Sequence, residues 1–293
     1  MRSRDHRSVP VGPASRRGLR LALIPAALVV ALASCASPPP EPPPGPTLTA
    51  MSFNIRHGVG ADGRLDLDRV AAAIAASEAE VVGLQEVDRH FSERSNFVDQ
   101  ATYLAGLLGM QVVFGPNLDL PPLVDGLPRR QYGNAILSRS EIRSSRNVLL
   151  PRLGASEQRG LLSATTEVGG AEVTVLSTHL QFDAPAERML QVEAIVAEMA
   201  SIETNVVLLG DLNAEPGSPE VGLLAGRLTD AWAAAGTGDG YTYSVSDPHK
   251  RVDYVFSSDG LAARTAMVVD SDASDHRPVV ATFALSTLGT DPL

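Results

Sequence analysis

A single cysteine, Cys35, occurs in the 293 residues, so no internal disulfide can form. That excludes a disulfide-stapled fold and any cysteine-based structural zinc site. None of the six histidines is close-spaced with another, which argues against a histidine-held zinc. The longest apolar run, residues 21–33, is thirteen residues, short of the roughly 20 that a bilayer-spanning helix needs. Aromatic residues make up only 4%. Beyond residue 35 there is one lysine, Lys250, which leaves little of the cationic surface that nonspecific nucleic-acid binding draws on. What remains is a chain with 44% hydrophobic and 20% charged residues, neither collagenous nor compositionally disordered. Such a chain builds its stability from a packed core.

Charge divides the chain in two. Residues 1–35 hold six arginines and one aspartate, a net of +5, whereas the following 258 residues hold 18 basic and 33 acidic groups, a net of −15. An arginine-rich head, a thirteen-residue apolar stretch and small residues after it have the layout of an export signal. Leu32-Ala33-Ser34-Cys35 resembles the lipobox of bacterial lipoproteins, and Ser15-Arg16-Arg17-Gly18-Leu19 resembles a twin-arginine export motif. The expectation is an exported lipoprotein anchored by acyl chains on Cys35 to the extracytoplasmic side of a membrane. Residues 36–46, rich in proline, are expected to form an extended tether of about 30 Å at ~3.1 Å per residue.

Residues 47–288 form the expected catalytic domain, one globular stretch without a second linker. Strand-length apolar runs bounded by Gly, Asp or Ser occur at residues 48–55, 81–85, 135–138, 161–166, 173–178, 206–210, 252–256 and 279–284. Helical patterns lie between them. Asp66 is placed to cap one helix through Val70 and Ile74, and Asp183 with Pro185 opens another in which Met189, Val192, Ile195, Val196 and Met199 share a face. The alternation predicts an α/β sandwich with helices outside.

Polar residues recur where apolar strands stop. Asn54 follows Met-Ser-Phe, Gln85-Glu86 follows Val-Val-Gly-Leu, His179 follows Val-Leu-Ser-Thr, and Asp211 and Asn213 follow Val-Val-Leu-Leu-Gly. Taken singly, the Asn and Asp residues read as turn or capping groups, because short polar side chains bond nearby backbone amides, Glu86 as a solvated charge and His179 as a hydrogen-bonded surface or core histidine. Asp253 resists that reading, since it sits inside Arg-Val-Asp-Tyr-Val-Phe and a carboxylate within a sheet needs a donor. His276 of Asp275-His276 offers one. Oxygen and imidazole groups projected from several strand ends onto one rim suit a hard cation and an activated water.

In order, Ser-Phe-Asn54-Ile, Leu-Gln85-Glu86-Val, Tyr132-Gly133-Asn134-Ala, Ser-Thr-His179-Leu, Leu-Gly-Asp211-Leu-Asn213-Ala, Val-Asp253-Tyr-Val and Ser-Asp275-His276-Arg-Pro resemble the endonuclease/exonuclease/phosphatase family, the deoxyribonuclease-I-like superfamily. The resemblance spans essentially the whole domain. It implies a four-layer sandwich of two packed mixed β-sheets with helices on the outer faces. It also implies divalent-metal-dependent hydrolysis of a phosphate ester by in-line attack of water. Carried over by residue, Glu86, Asn54 and Asp275 would lie at an Mg²⁺ or Mn²⁺ ion. Asp211 and Asn213 would orient or deprotonate the water, Asp253 would orient His276, and His179 would meet a phosphoryl oxygen. Arg159, in Glu-Gln-Arg-Gly, lies where the resemblance places a phosphate-contacting arginine, whose planar fork suits that group, and its alternative is a surface arginine. Tyr132 would touch the substrate or pack beside it, and Asn134 would bind substrate or scaffold the site.

The ester is less legible. An acidic domain disfavours a tight polynucleotide binder, although local basic patches and bound cations can offset global charge. A phosphodiester in nucleic acid, nucleotide or lipid headgroup is the expected substrate, and no obligate protein partner is evident, so a monomer is expected. Among lipid phosphatases, a sphingomyelinase-like enzyme suits a membrane tether, but the sequence shows no aromatic hairpin, and the phosphoinositide type is a poor match because its longer signatures around Gly-Asp-x-Asn and before the final Asp-His are absent. A catalytically inactive surface-binding member is the alternative, and it predicts gaps in the polar set. None is found.

Overall fold

The computed structural model describes residues 45–285; the signal segment, Cys35 and nearly all of the tether expected from sequence lie outside the described residues. Two six-stranded sheets stack on each other. The first runs, in spatial order, β11 (Leu261–Val268), β12 (Val279–Leu285), β1 (Thr47–Asn54), β2 (Val81–Arg89), β4 (Arg130–Ser138) and β3 (Gln111–Leu120). The second runs β5 (Ile142–Leu149), β6 (Gly160–Val168), β7 (Ala171–His179), β8 (Asn205–Asp211), β10 (Asp253–Ser257) and β9 (Thr229–Asp230). Both are mixed: β1 pairs with β2 in parallel, as does β7 with β8, and the remaining neighbours are antiparallel.

Period-two alternation decides which side chains meet between the sheets. Along β1, Leu48 and Ala50 enter the inter-sheet core, while Met51 and Phe53 enter the outer core beneath α1 (Leu67–Ala76) and α2 (Gln100–Leu108). On β8, Val207 and Leu209 face inward and Val206 and Leu208 face outward, towards α3 (Pro185–Met199) and α4 (Pro219–Ala225). Three apolar cores thus separate four layers, with the short α5 (Ala231–Ala235) against β10 and β11. Each fully buried Val, Leu, Ile or Phe contributes about 1.5–3 kcal/mol relative to exposure.

Helix starts follow local chemistry. The Asp66 carboxylate accepts from the Arg69 amide at 2.9 Å and Asp99 from that of Thr102 at 3.1 Å, each meeting an otherwise unpartnered N–H in the first turn. On α3 the expectation needs correcting: Asp183 is not the cap. Ala184 occupies that position with no side-chain bond, and Pro185, whose ring fixes φ and lacks an N–H, starts the helix. The face of α3 is also more polar than expected. Val192 and Ile195 are buried as foreseen, but Glu187, Arg188 and Gln191 are buried with them. Glu187 accepts from the Leu153 amide at 3.0 Å, and Arg188 pairs with Glu220 at 2.9 Å and donates to the carbonyls of Gln181 and Phe182. The helix therefore fastens the loops at one mouth of the sandwich.

Candidate active site

The same alternation that fills the inter-sheet core supplies the site. Continuing the inward series Leu48, Ala50 and Ser52 by one step gives Asn54, the last residue of β1. On β7 the series Val173, Val175, Ser177 ends at His179, and on β8 the series Val207, Leu209 ends at Asp211. Asp253, the first residue of β10, opens the inward series that continues with Val255. In register, His179 lies beside Asp211 and Asp211 beside Asp253, so three adjacent strands present these groups in one row. Each is at most 5% exposed.

Asp211 is the hub. Its Oδ2 accepts from Asn54 Nδ2 at 3.0 Å and lies 3.5 Å from His179 Nε2 and 3.7 Å from His276 Nε2, while Oδ1 accepts from the Asn213 amide at 2.9 Å. Burial and the neighbouring Asp253 charge push its carboxyl up to about 7, against the opposing pull of His276 and the Asn54 amide. His276 Nδ1 donates to Asp253 Oδ2 at 2.9 Å. Burial disfavours its charge, but Asp253 and Asp211 outweigh that and raise it to about 10, so an imidazolium faces the cleft at neutral pH. The Tyr243 ring packs on it with centroids 4.8 Å apart.

His179 behaves differently. Burial and the Arg159 charge hold it well below the usual histidine range, so it is neutral. Arg159 Nη1 stands 3.1 Å from His179 Nδ1 and can only donate, which makes Nδ1 the acceptor and places the proton on Nε2. In that tautomer the Nε2–H is directed at Asp211 and the cleft, while Asn213 Nδ2, 3.0 Å from the same nitrogen, gives one of its two hydrogens to the Leu180 carbonyl at 3.0 Å. Arg159 is further fixed by Glu157 at 2.8 Å and by Gln181 Oε1.

Glu86 stands at a bulge. The β2–β4 register slips between Leu84 and Val87, and Glu86 has φ +57, a left-handed conformation unusual for a non-glycine residue. The bulge turns its carboxylate out of the sheet towards the cleft. Burial raises this carboxyl, yet His57 Nδ1 at 3.9 Å, the Asn54 amide at 3.1 Å and the nearby His276 charge more than offset it and hold it below the usual carboxylate range. Asn213 is also left-handed, with φ +47, which carries its side chain back under His179.

These residues line a cleft of about 780 Å³, with Glu86, Arg159, His179, Asp211, Asn213, Asp275, His276 and Tyr132 on its walls. Asn54 and Asp253 lie directly behind it. Of the two roles expected for Asn134, the structure supports scaffolding and not substrate contact: it is fully buried between the sheets, and its Nδ2 donates to the carbonyls of Gly160 and Ser177. Its neighbour Gly133 is packed against backbone, which leaves Asn134 as an inter-sheet staple. The Tyr132 phenol stays neutral, raised first by burial and then by the Glu86 charge. Sequence reasoning missed Tyr243, Phe182 and Arg94, which also line the cleft. They lie in connecting segments or beyond the bulge, where no strand-end signal marks them.

Oxygen donors around the cleft suit a divalent metal ion. Glu86 is ionised, partly exposed and set free of the sheet ladder, and Asp275 reaches the same wall, held 3.4 Å from Arg56 Nε. Asp211, Asp253 and His276 are the tighter cluster, with ligand atoms within 4.8 Å of one another. That cluster is the less open cation site, because His276 Nδ1 and Asp253 Oδ2 are already engaged with each other at 2.9 Å and Asp253 is sealed beneath the ring.

The endonuclease/exonuclease/phosphatase family model matches residues 51–276, which include every one of these groups. The chain belongs to this family. Members of the family are metal-dependent phosphoester hydrolases, and so is this protein. Its structure is similar to that of an endonuclease/exonuclease/phosphatase from Beutenbergia cavernae, with 28% identity and a TM-score of 0.69 over 82% of this chain and 72% of that one. It shares its fold with a mannosyl-6-phosphatase of Bacteroides thetaiotaomicron (17% identity, TM-score 0.65, covering 80% and 98%). The human Nocturnin catalytic domain with bound sulfate shares it too (23% identity, TM-score 0.61, covering 82% and 94%). No protein of curated function matches the sequence significantly.

Proposed function

We propose that the protein is an Mg²⁺-dependent phosphodiesterase that hydrolyses its ester by in-line attack of water, anchored through Cys35 on the extracytoplasmic side of a membrane. Manganese suits the same oxygen donors. Glu86 and Asp275 would hold the ion, with Asn54 fixing Glu86 through its amide. When bound, the ion supplies positive charge against the phosphoryl oxygens. Asp211, near neutrality, takes the proton of the attacking water. Asn213 and the Nε2–H of His179 donate to phosphoryl oxygens. The His276 imidazolium, oriented by Asp253, stabilises developing charge and returns a proton to the departing oxygen.

The observation that carries this reading is the Asp211 carboxylate, approached at 3.0–3.7 Å by Asn54, His179 and His276 from both sheets and from the loop before β12. Bis(4-nitrophenyl) phosphate, offered with Mg²⁺ or Mn²⁺, should be hydrolysed by the wild type. Turnover should stop with a chelator and collapse in Asp211→Ala. A wild type without turnover, or turnover indifferent to both changes, overturns it.

A lipid-headgroup ester is a second reading, supported by one feature. The β3–β4 connection exposes Leu123, Val124 and Leu127 next to Phe97 and Arg130, an aliphatic counterpart of the aromatic hairpin not found in the sequence. A panel of DNA, RNA, sphingomyelin, phosphoinositides and simple mono- and diesters separates the two readings.

A further inference from the structure

The chain has one lysine, and it stands in the catalytic cleft. The other three side-chain cations lining that cleft, apart from the imidazoles, are already answered by carboxylates: Arg94 by Asp88 at 2.7 Å, Arg159 by Glu157 at 2.8 Å and Arg188 by Glu220 at 2.9 Å. Lys250 pairs with no carboxylate among the described residues. In a cleft this rich in acids, an unneutralised ammonium is the group left to meet an anion brought in from outside.

Its backbone is fixed. Lys250 and Tyr243 exchange amide-to-carbonyl hydrogen bonds of 3.0 Å in both directions, and the Thr242 amide donates to the Lys250 carbonyl at 2.8 Å. Tyr243 also bridges to His276 on its other side. Lys250, Tyr243 and His276 therefore lie side by side like three neighbouring strands. Two inter-strand spacings set the Cα atoms of Lys250 and His276 about 10 Å apart. The flexible Lys250 stem can then place its charge a few ångströms beyond a phosphoryl group held at His276, with the Tyr243 ring between them.

We infer that Lys250 is a specificity-determining residue that binds a second anionic group of the substrate, a phosphate or a carboxylate beyond the scissile ester. This rests on the phosphodiesterase reading and narrows it to substrates with two anionic centres. A charge-assisted contact of this kind is worth roughly tenfold to a hundredfold in affinity.

Calorimetric titration of the full-length protein in Mg²⁺ buffer tests it with two pairs of probes. Glycerol 3-phosphate against 3-phosphoglycerate asks about a carboxylate, and adenosine 5′-monophosphate against adenosine 3′,5′-bisphosphate asks about a phosphate. In the wild type, the doubly anionic member of at least one pair should bind about tenfold tighter or more. That ratio should fall towards one in Lys250→Ala and return in Lys250→Arg, which keeps the charge. No preference in either wild-type pair, or a preference that survives Lys250→Ala, overturns the inference. Binding is read without turnover, so failure to hydrolyse bis(4-nitrophenyl) phosphate counts against the phosphodiesterase reading, and a ratio independent of Lys250 counts against this one.

Discussion

Asp211 and Asp253 sit directly opposite each other as register partners on the antiparallel strands β8 and β10. Two carboxylates so placed repel, and burial makes the repulsion harder to screen. The protein resolves it by wedging the His276 ring against both, 2.9 Å from Asp253 and 3.7 Å from Asp211. One carboxylate is thereby committed to holding the imidazolium. The other is left near neutrality, able to accept and release a proton.

Asp211→Asn keeps the shape of the hub and removes the proton acceptor. Turnover of bis(4-nitrophenyl) phosphate should fall by about 10²–10⁴. The thermal midpoint should hold or rise, because a repulsive pair has been relieved. A loss of less than tenfold in kcat would remove Asp211 from the proposed role.

The raised His276 sets the sign of a pH effect on stability. With the unfolded group at 6.5 and the folded one at about 10, the native state binds the extra proton between those values. The stabilisation is fully present below pH 6.5 and is lost as pH climbs through about 10. Melting curves of wild type and His276→Gln across pH 6 to 10.5 should therefore converge from the acid side to the alkaline side. A gap that stays constant with pH would show that the ring contributes packing alone.

Glu86→Gln removes a charge from the left-handed bulge while keeping its volume. Mn²⁺ affinity, read by calorimetry, should weaken by about tenfold or more. Unaltered affinity would move the metal site elsewhere on the rim.

Gly133→Ala tests the backbone beneath the site. A Cβ there would lie 2.0 Å from the Gly115 carbonyl oxygen, on the neighbouring strand, where neither chain can yield cheaply. Urea unfolding should show a loss of about 1–3 kcal/mol or more. A variant as stable as wild type would mean that β3 and β4 can part locally without cost.

The eight strands legible in the sequence are those flanked on both sides by other strands or buried on both faces, because only they demand continuous apolar runs. Edge strands escaped notice. Along β5, Arg143, Ser144, Ser145 and Arg146 are exposed, and β11 alternates only weakly, so neither carries the pattern that marks a strand. The site was legible where function shares a strand with the core: Asn54, His179, Asp211 and Asp253 each extend or open an inward apolar series. Tyr243 and Lys250 were not, since they are brought to His276 by a connecting segment whose pairing no periodicity announces. Asn134 left two roles open in the sequence, because an inward polar residue near a strand end can serve substrate or scaffold, and here it joins two sheets.

That joining is unevenly distributed. Away from the cleft the sheets meet through Leu48, Val81, Val173, Val207 and their neighbours, while near it they are laced by amides and hydroxyls: Asn54 to Asp211, Gln85 to Ser177, and Asn134 to Gly160. All of these groups are shut away from water, so the far end is held by area and the cleft end by directional bonds that fix where each partner sits. Breaking one of these polar bonds should therefore misplace the row of groups around Asp211, whereas an apolar truncation at the far end should weaken the whole sandwich.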